Sequence, residues 1–289
     1  MSFSIFVDGS SNLPGRLLRE LDICILPCTY SMNGSPSTYD GSLDSFDSHG
    51  YYDMLRQGGV VQTSLLNTQL FLDSFRPALE QGKDVLYFSM SSGISGTCHA
   101  ARIAAQELLE EFPQRTVRVV DSMGSGFGTG LMACKAADLR SQGKDARETA
   151  DIMDADVQNT LQFFTVDDLN YLKRTGRVSG ATAMIGTVLN IKPVLWGDPT
   201  GHITARGKYR GRKKALAAIA EEYRSRVEDA GNQRVAISHG DCLEDAEAVA
   251  QMVRERFGTQ DIRINYVGPV IGAHSGPGTL ALFYLGTQR

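Results

Sequence analysis

The sequence has no long hydrophobic run: no stretch approaches the roughly 18 consecutive apolar residues of a membrane-spanning helix. It also has no excess of positive charge, since 29 Lys and Arg stand against 33 Asp and Glu, a net charge of −4. A general nucleic-acid-binding surface is therefore not expected. The first residues enter a predicted strand directly, without the charged and apolar regions of a secretory signal. We expect a cytoplasmic protein that makes only transient contact with membranes.

Cysteine is scarce. The five cysteines, at positions 24, 28, 98, 134 and 242, are odd in number and too irregularly spaced for a disulfide framework. Cys24 and Cys28 have no second cysteine pair or histidine pair to complete a zinc site. Reduced thiols agree with a cytoplasmic setting. We expect neither a metal nor a cofactor.

Nucleotide-binding motifs are missing as well. The segment 124–130 is rich in glycine, but none of its glycines begins the G-x-G-x-x-G spacing of a dinucleotide-binding turn, and no G-x-x-x-x-G-K-[ST] occurs. Ser95 lies in G-I-S-G-T, which lacks the second glycine of a nucleophile elbow. A hydrolase that pairs Ser95 with His274 or His239 stays open, because such triads are defined by geometry and not by sequence order.

What the sequence does contain is a strand, a hydroxyl-rich loop and a helix in direct succession. Val85–Phe88 is a short apolar run typical of a buried strand, and Arg102–Leu109 has helical spacing of alanine and leucine. Backbone N–H groups and the helix dipole converge where such a helix begins and favour an anion. Simple helix capping is the alternative. The loop between them contains Ser89, Ser91, Ser92, Gly93, Ser95, Gly96 and Thr97.

Similar units recur through the first half. Polar residues follow the predicted strands Ile5–Val7 and Val117–Val120. Thr63-Ser64 precede an amphipathic segment over 68–79. Thr63 either binds a ligand or only caps the helix that this segment predicts. This alternation predicts a parallel, doubly wound α/β sheet, in which ligands bind beyond the carboxyl ends of the strands. We also predict a single strand over Cys24–Tyr30 and a polar loop over 37–47.

The second half again alternates strands and helices. We predict a strand at Phe163–Val166, a helix over 181–189 with Met184, Ile185, Val188 and Leu189 on one side, and a glycine-rich turn at 268–278. A length of 289 residues allows two domains. We divide the chain into an N-terminal α/β domain, 1–159, that carries the hydroxyl-rich loops, and a C-terminal α/β domain, 160–289, that lines a ligand tunnel between the two.

Four blocks of the chain form a recognisable set: Phe6–Ser10, Thr63-Ser64, Ser91–Thr97 and Ile271–Gly278. Three supporting segments are Val120-Asp121-Ser122, Tyr171–Arg177 and Ile191-Lys192-Pro193. These blocks resemble the DegV family, bacterial fatty-acid-binding proteins that serve a fatty-acid kinase. They follow the family order over nearly the whole chain, and the last block, with a histidine between glycines, is the most specific.

The resemblance implies a two-domain α/β protein that holds one long-chain fatty acid between its domains. It also implies a partner, a separate ATP-binding kinase that makes the acyl phosphate. Two departures alter the shape of the loops but leave the hydroxyl pair intact: Leu65-Leu66-Asn67 stands in place of Gln-Pro-Ser, and Gly9 in place of a serine. The implied carboxylate ligands are Thr63, Ser95 and His274, with Ser64, Gly96, Thr97 and Ser125 as further loop candidates. The implied phosphotransfer or kinase-docking residues are His274, Arg177 and Arg206.

A basic run at 206–214 places six positive charges within nine residues. A solvated loop is one interpretation, and nucleic-acid binding is a weaker one because no recognition motif accompanies the run. We predict a docking surface for an acidic kinase. Altogether the sequence predicts a carrier and kinase co-substrate, not an enzyme; the competing hypothesis is a serine hydrolase that cleaves acyl esters through Ser95 and His274.

Overall fold

A computed structural model describes residues 3–178 and 190–289. Within these ranges no helix is both long and apolar enough to cross a bilayer. The strands are β1 (Phe3–Asp8), β2 (Ile23–Leu26), β3 (Cys28–Met32), β4 (Ser35–Tyr39), β5 (Val61–Thr63), β6 (Asp84–Ser89), β7 (Val117–Asp121), β8 (Thr160–Thr165), β9 (Ile191–Gly197), β10 (Ile203–Arg210), β11 (Val235–His239), β12 (Ile262–Tyr266) and β13 (Leu280–Leu285).

The α-helices lie mostly between these strands, as the alternation in the sequence predicts. They are α1 (Gly15–Glu20), α2 (Ser48–Arg56), α3 (Thr68–Glu80), α4 (Thr97–Glu111), α5 (Phe127–Ser141), α6 (Ala146–Asp156), α7 (Asn170–Arg174), α8 (Arg212–Arg226), α9 (Leu243–Phe257) and α10 (Pro269–Ser275). Two short 3-10 turns follow β1 and α6, at Gly9–Ser11 and Val157–Asn159.

The first half forms the predicted parallel sheet, in the order β2-β1-β6-β7. Successive side chains of β1 pack into different cores: Ile5 and Val7 lie on the side of α5 and α6, and Phe6 lies on the side of α3 and α4. Helices thus cover both faces of the sheet. This is why its strands are almost continuously apolar.

The second half forms a six-stranded mixed sheet, in the order β10-β9-β8-β13-β11-β12. Its neighbours pair antiparallel except β11 and β12, which are parallel. Helices α8 and α9 pack on one face. The other face packs against α5, which lies between the two large sheets and is buried on nearly all sides.

The fold class is therefore a mixed α/β fold with a parallel sheet and a further sheet, as predicted. The division at 159 and 160 stays a prediction. The two large sheets separate there, but α5 contacts both of them, and Val270 and Ala273 of α10 belong to the core around α3 and α4.

Three local predictions were wrong. Cys24–Tyr30 is not one strand, because Pro27 has no N–H to continue the ladder, and the chain passes from the parallel sheet into a small three-stranded sheet, β4-β3-β5. The predicted loop at 37–47 begins as the end of β4, which pairs with β3 through a turn at Asn33-Gly34.

The third wrong prediction is the turn at 268–278, most of which is helix α10. Pro269 suits the first helical position. Packing then overcomes the low helix propensity of glycine: a Cβ at Gly272 would lie 2.7 Å from the hydroxyl of Tyr52, so only glycine allows this approach. The helix predicted at 181–189 lies outside the described residues.

Candidate functional site

A cavity of about 240 Å³ lies between the two large sheets, where the loops after β1, β5, β6 and β7 meet α10. Its apolar wall comes largely from the second half of the chain, with Phe164, Leu172, Ile203 and Phe283 among its members. Most candidate site residues from the sequence line it. These are Thr63, Ser64, Ser95, Gly96, Thr97, Ser125, Arg177 and His274.

Thr63 and His274 meet although 211 positions separate them in the chain. Thr63 Oγ1 and His274 Nε2 are 2.8 Å apart. Thr63 is the last residue of β5, and His274 lies on α10. The Tyr51 hydroxyl of α2 donates to the carbonyl of Pro269 and so holds α10 against α2. The helix after Thr63 is capped by Asn67, whose side chain accepts the N–H of Leu70, so Thr63 does not serve as that cap.

The imidazole of His274 is neutral at pH 7. Burial lowers its pKa to about 4, and the positive charges of Arg177 and Arg174 act in the same direction. Nδ1 of His274 has no hydrogen-bond partner among the described residues. The site thus offers uncharged hydrogen-bonding groups at this end of the cavity, with cationic groups farther out.

Ser95 and Thr97 connect the loop after β6 to the loop after β5. The Ser95 hydroxyl donates to Thr97 Oγ1 at 3.1 Å, and it accepts the backbone N–H of Thr97 at 3.2 Å. Thr97 Oγ1 in turn accepts the N–H of Leu66 at 3.4 Å. These hydroxyls order the start of α4, in agreement with the capping interpretation, and they also line the cavity. Their role in binding stays a prediction.

Buried carboxylates organise the loops around this site. Asp121 accepts the N–H groups of Ser92 and Met123, at 3.2 and 3.1 Å, and so joins the loops after β6 and β7. Asp8 accepts the N–H of Ser10 at 2.8 Å and the hydroxyl of Tyr87. Burial raises the pKa of Asp8, and its hydrogen bonds oppose that rise.

The positions of the two arginines differ. Arg177 lines the cavity and donates to the carbonyl of Thr175. Arg206 is not among the cavity-lining residues. Its guanidinium pairs with Glu222 at 3.0 Å and lies 5.1 Å from the ring centroid of Trp196, on the side of the sheet that α8 covers.

The geometry does not favour the hydrolase hypothesis. His274 bonds Thr63 and not Ser95, and within the described part of the chain no carboxylate orients its other nitrogen. His239 packs against Tyr266 with ring centroids 4.3 Å apart, and it is not part of the cavity wall.

A metal centre is not supported either. His49, Asp53 and Asp241 lie close enough together to suggest one, but Arg56 occupies the position by donating to Asp241 Oδ2 at 2.6 Å. The cluster instead joins α2 to the loop after β11.

Asn12, Gln162 and Phe283 are among the residues of the cavity wall that sequence reasoning missed. A signal was present for one of them. Gln162 interrupts the apolar run Leu161–Phe164 in a fully buried strand, and a buried polar residue needs a structural or functional partner.

A family model described as "Uncharacterised protein, DegV family" matches residues 2–287. The chain belongs to the DegV family. A DegV domain-containing protein of Clostridium perfringens is 37% identical over 288 residues, which cover 99% of this chain and 98% of that protein. The resemblance inferred from the four sequence blocks is thereby confirmed.

Solved DegV family structures share the whole fold. The protein from Thermus thermophilus, described as fatty-acid binding, superposes with a TM-score of 0.87 at 29% identity and covers 99% of this chain and 100% of its own. The protein from Eubacterium eligens, loaded with heptadecanoic acid, gives 0.86 at 25% identity over 99% and 100% of the two chains.

The buried His274 predicts a specific loss of stability in acid. Protonation is easier in the unfolded chain, with a pKa near 6.5, than in the folded one, near 4, so stability falls as the pH drops from 6.5 toward 4. At pH 5 we expect wild type to have lost about 2 kcal/mol more of its unfolding free energy, relative to pH 7.5, than His274→Gln has. Urea unfolding at the two pH values measures this, and equal losses in both proteins would contradict it.

Proposed function

We propose that this DegV family chain binds one long-chain fatty acid, with the carboxylate at Thr63, Ser95 and His274 and the acyl chain along the cavity between the sheets. The observation that carries the proposal is the Thr63–His274 contact beside the Ser95 loop, at one end of a largely apolar cavity. The fatty-acid-binding relatives with the same fold support it.

The carboxylate would be held by neutral donors. The hydroxyls of Thr63 and Ser95 each have one proton to donate, so the Ser95 hydroxyl, which donates to Thr97 Oγ1 in the structure, would rotate toward the carboxylate when the ligand binds. The N-terminus of α4 at Gly96 and Thr97 adds a positive dipole end. Ser64 and Ser125 lie on the adjoining loops and line the same cavity. Affinity would come mainly from the acyl chain, because burying a 16-carbon tail contributes roughly 12 kcal/mol gross at about 0.8 kcal/mol per methylene.

We further propose that a separate ATP-dependent kinase phosphorylates the bound acid. A carboxylate oxygen attacks the γ-phosphorus, the bond from that phosphorus to the β,γ-bridging oxygen breaks, and ADP leaves. Hydroxyl donors neutralise the carboxylate less than a paired arginine would, so its oxygens stay nucleophilic. Arg177, at the cavity wall beside His274, would contact the incoming phosphates. The chain is then a cytoplasmic carrier and co-substrate and not an enzyme by itself.

We keep the proposed docking role of the basic run at 206–214, but for four of its six cations only. It is not a loop: it ends β10 and begins α8. Two of its cations are engaged, Arg206 with Glu222 and Arg212 with Asp245. The remaining four have no carboxylate within 4.0 Å among the described residues and form what we term the basic surface: Lys208, Arg210, Lys213 and Lys214.

A bound lipid is the direct test. An empty apolar cavity is costly, so the purified chain should carry about one fatty acid per molecule, which denaturing extraction and native mass spectrometry would detect. A serine-directed activity probe should not label Ser95. Preparations that contain no lipid and take up no added fatty acid would refute the carrier, and labelling of Ser95 would favour the hydrolase.

A further inference from the structure

Part of the cavity wall is more polar than an alkyl chain requires. Asn12, Ser125 and Gln162, which we call the amide patch, line the same cavity as the carboxylate residues. They belong to other elements: Asn12 follows the turn after β1, Ser125 precedes α5, and Gln162 lies on β8. Both carboxamides are deeply buried, with 1% of Asn12 and 6% of Gln162 exposed.

The orientation of each carboxamide is set by a backbone donor. Asn12 Oδ1 accepts the N–H of Gly268 at 2.9 Å, and Gln162 Oε1 accepts the N–H of Ser125 at 3.0 Å. A backbone N–H can only donate, so the oxygen of each amide must face it and the NH2 group must point elsewhere. The positions of the oxygen and the nitrogen in each carboxamide therefore follow from these hydrogen bonds.

The two NH2 groups are left without acceptors. Throughout residues 3–178 and 190–289, neither Asn12 Nδ2 nor Gln162 Nε2 has a hydrogen-bond acceptor, and the hydroxyl of Ser125 has no hydrogen-bond partner there. A purely alkyl chain beside them would leave these buried donors unpaired, which is unfavourable. Glycine keeps the patch open, because a Cβ at Gly126 would lie 3.2 Å from Asn12 Nδ2.

We propose that the amide patch binds a neutral oxygen substituent on the acyl chain, a hydroxyl or a keto group, so that the preferred ligand is an oxygenated long-chain fatty acid. The patch offers several donors to one acceptor oxygen, as such a group requires. It contains no cation, and Asp8 lines the same cavity, which disfavours a second carboxylate. This inference rests on the proposed function and adds the class of acyl chain to it.

The experiment compares ligands of equal length. Delipidated wild-type protein is titrated with palmitic acid and with a panel of monohydroxylated palmitic acids whose hydroxyl position runs along the chain. We expect at least one isomer to bind about tenfold more tightly than palmitic acid, the gain of one to two satisfied hydrogen bonds. The wild-type panel needs no mutant, so it can overturn the inference by itself even if a variant fails to fold.

Variants then locate the preference. Asn12→Asp and Gln162→Glu keep the oxygen that accepts the backbone N–H and replace the NH2 donor by an acceptor. Asp also tolerates the positive φ of 54° at position 12. Each should abolish the tenfold preference, whereas Gln106→Glu, the same change at an exposed position on α4, should retain it.

Three outcomes would overturn the inference. If palmitic acid binds as tightly as every isomer, water or nothing satisfies the patch, while the proposed function stands. If an isomer is preferred but both patch variants keep the preference, the oxygen binds elsewhere. If neither palmitic acid nor any isomer binds, the proposed function fails together with the inference.

Discussion

A chain carrying both Thr63→Ala and Ser95→Ala is expected to bind palmitic acid at least about a hundredfold more weakly than wild type. Each substitution removes a hydroxyl donor from a buried carboxylate, and a hydrogen bond to a charged group contributes about 1.5–3 kcal/mol. Each single variant should therefore lose about 10- to 100-fold in affinity. Competition against a fluorescent fatty acid, with delipidated protein, measures the three constants.

A matched control separates binding from folding. Thr38→Ala removes an exposed hydroxyl from β4, in the same small sheet as Thr63, and should leave affinity unchanged. Because the Ser95 hydroxyl also accepts the N–H of Thr97 at the start of α4, thermal unfolding of every variant is recorded alongside. A double variant that is folded and binds like wild type would show that the carboxylate lies elsewhere in the cavity.

The second large effect is expected in phosphorylation. His274→Ala should reduce the rate of acyl-phosphate formation by about 100-fold or more, because losing a group that orients the reacting atoms has effects of this size. The loss of fatty-acid affinity should be much smaller. His274 holds the Thr63 hydroxyl at 2.8 Å, and transfer needs the carboxylate oxygen in line with the γ-phosphate, a stricter condition than binding. The measurement uses loaded protein, a purified fatty-acid kinase and labelled ATP.

A companion variant distinguishes transfer from docking. Lys208→Glu with Arg210→Glu reverses two charges of the basic surface and should slow phosphorylation by raising the concentration of carrier that the kinase needs, as raised salt does for wild type. Arg206 is left intact, because a glutamate there would face Glu222. A normal phosphorylation rate with His274→Ala would contradict the proposed role of His274 in transfer. A normal dependence of the rate on carrier concentration with the charge-reversed variant would show that the basic surface is solvated and does not bind the kinase.

Local patterns in the sequence determined the alternation of strands and helices and the position of the hydroxyl loops. Strands β1, β6 and β7 are short apolar runs that end in polar residues, and this pattern depends only on neighbouring positions. In a parallel sheet all such ends lie at one edge, so the strand pattern by itself predicts a site beyond them. The family blocks strengthened that placement residue by residue.

Only the tertiary structure decided which side chains meet. Thr63 and His274 are joined across 211 positions because α10 crosses back to the first half of the chain and packs on α2. Packing also turned a glycine-rich segment into that helix, since burial of Val270 and Ala273 outweighs the propensity of its glycine.

The amide patch shows the same limit. Nothing near Asn12 or Gln162 in the sequence indicates that the N–H groups of Gly268 and Ser125 will bind the oxygen of each carboxamide and leave its NH2 group without an acceptor among the described residues. A periodic pattern reports which face of an element is buried, but the partner of a buried polar group comes from a distant segment. That partner is therefore set by the packing of the two large sheets around α5, and not by the local sequence.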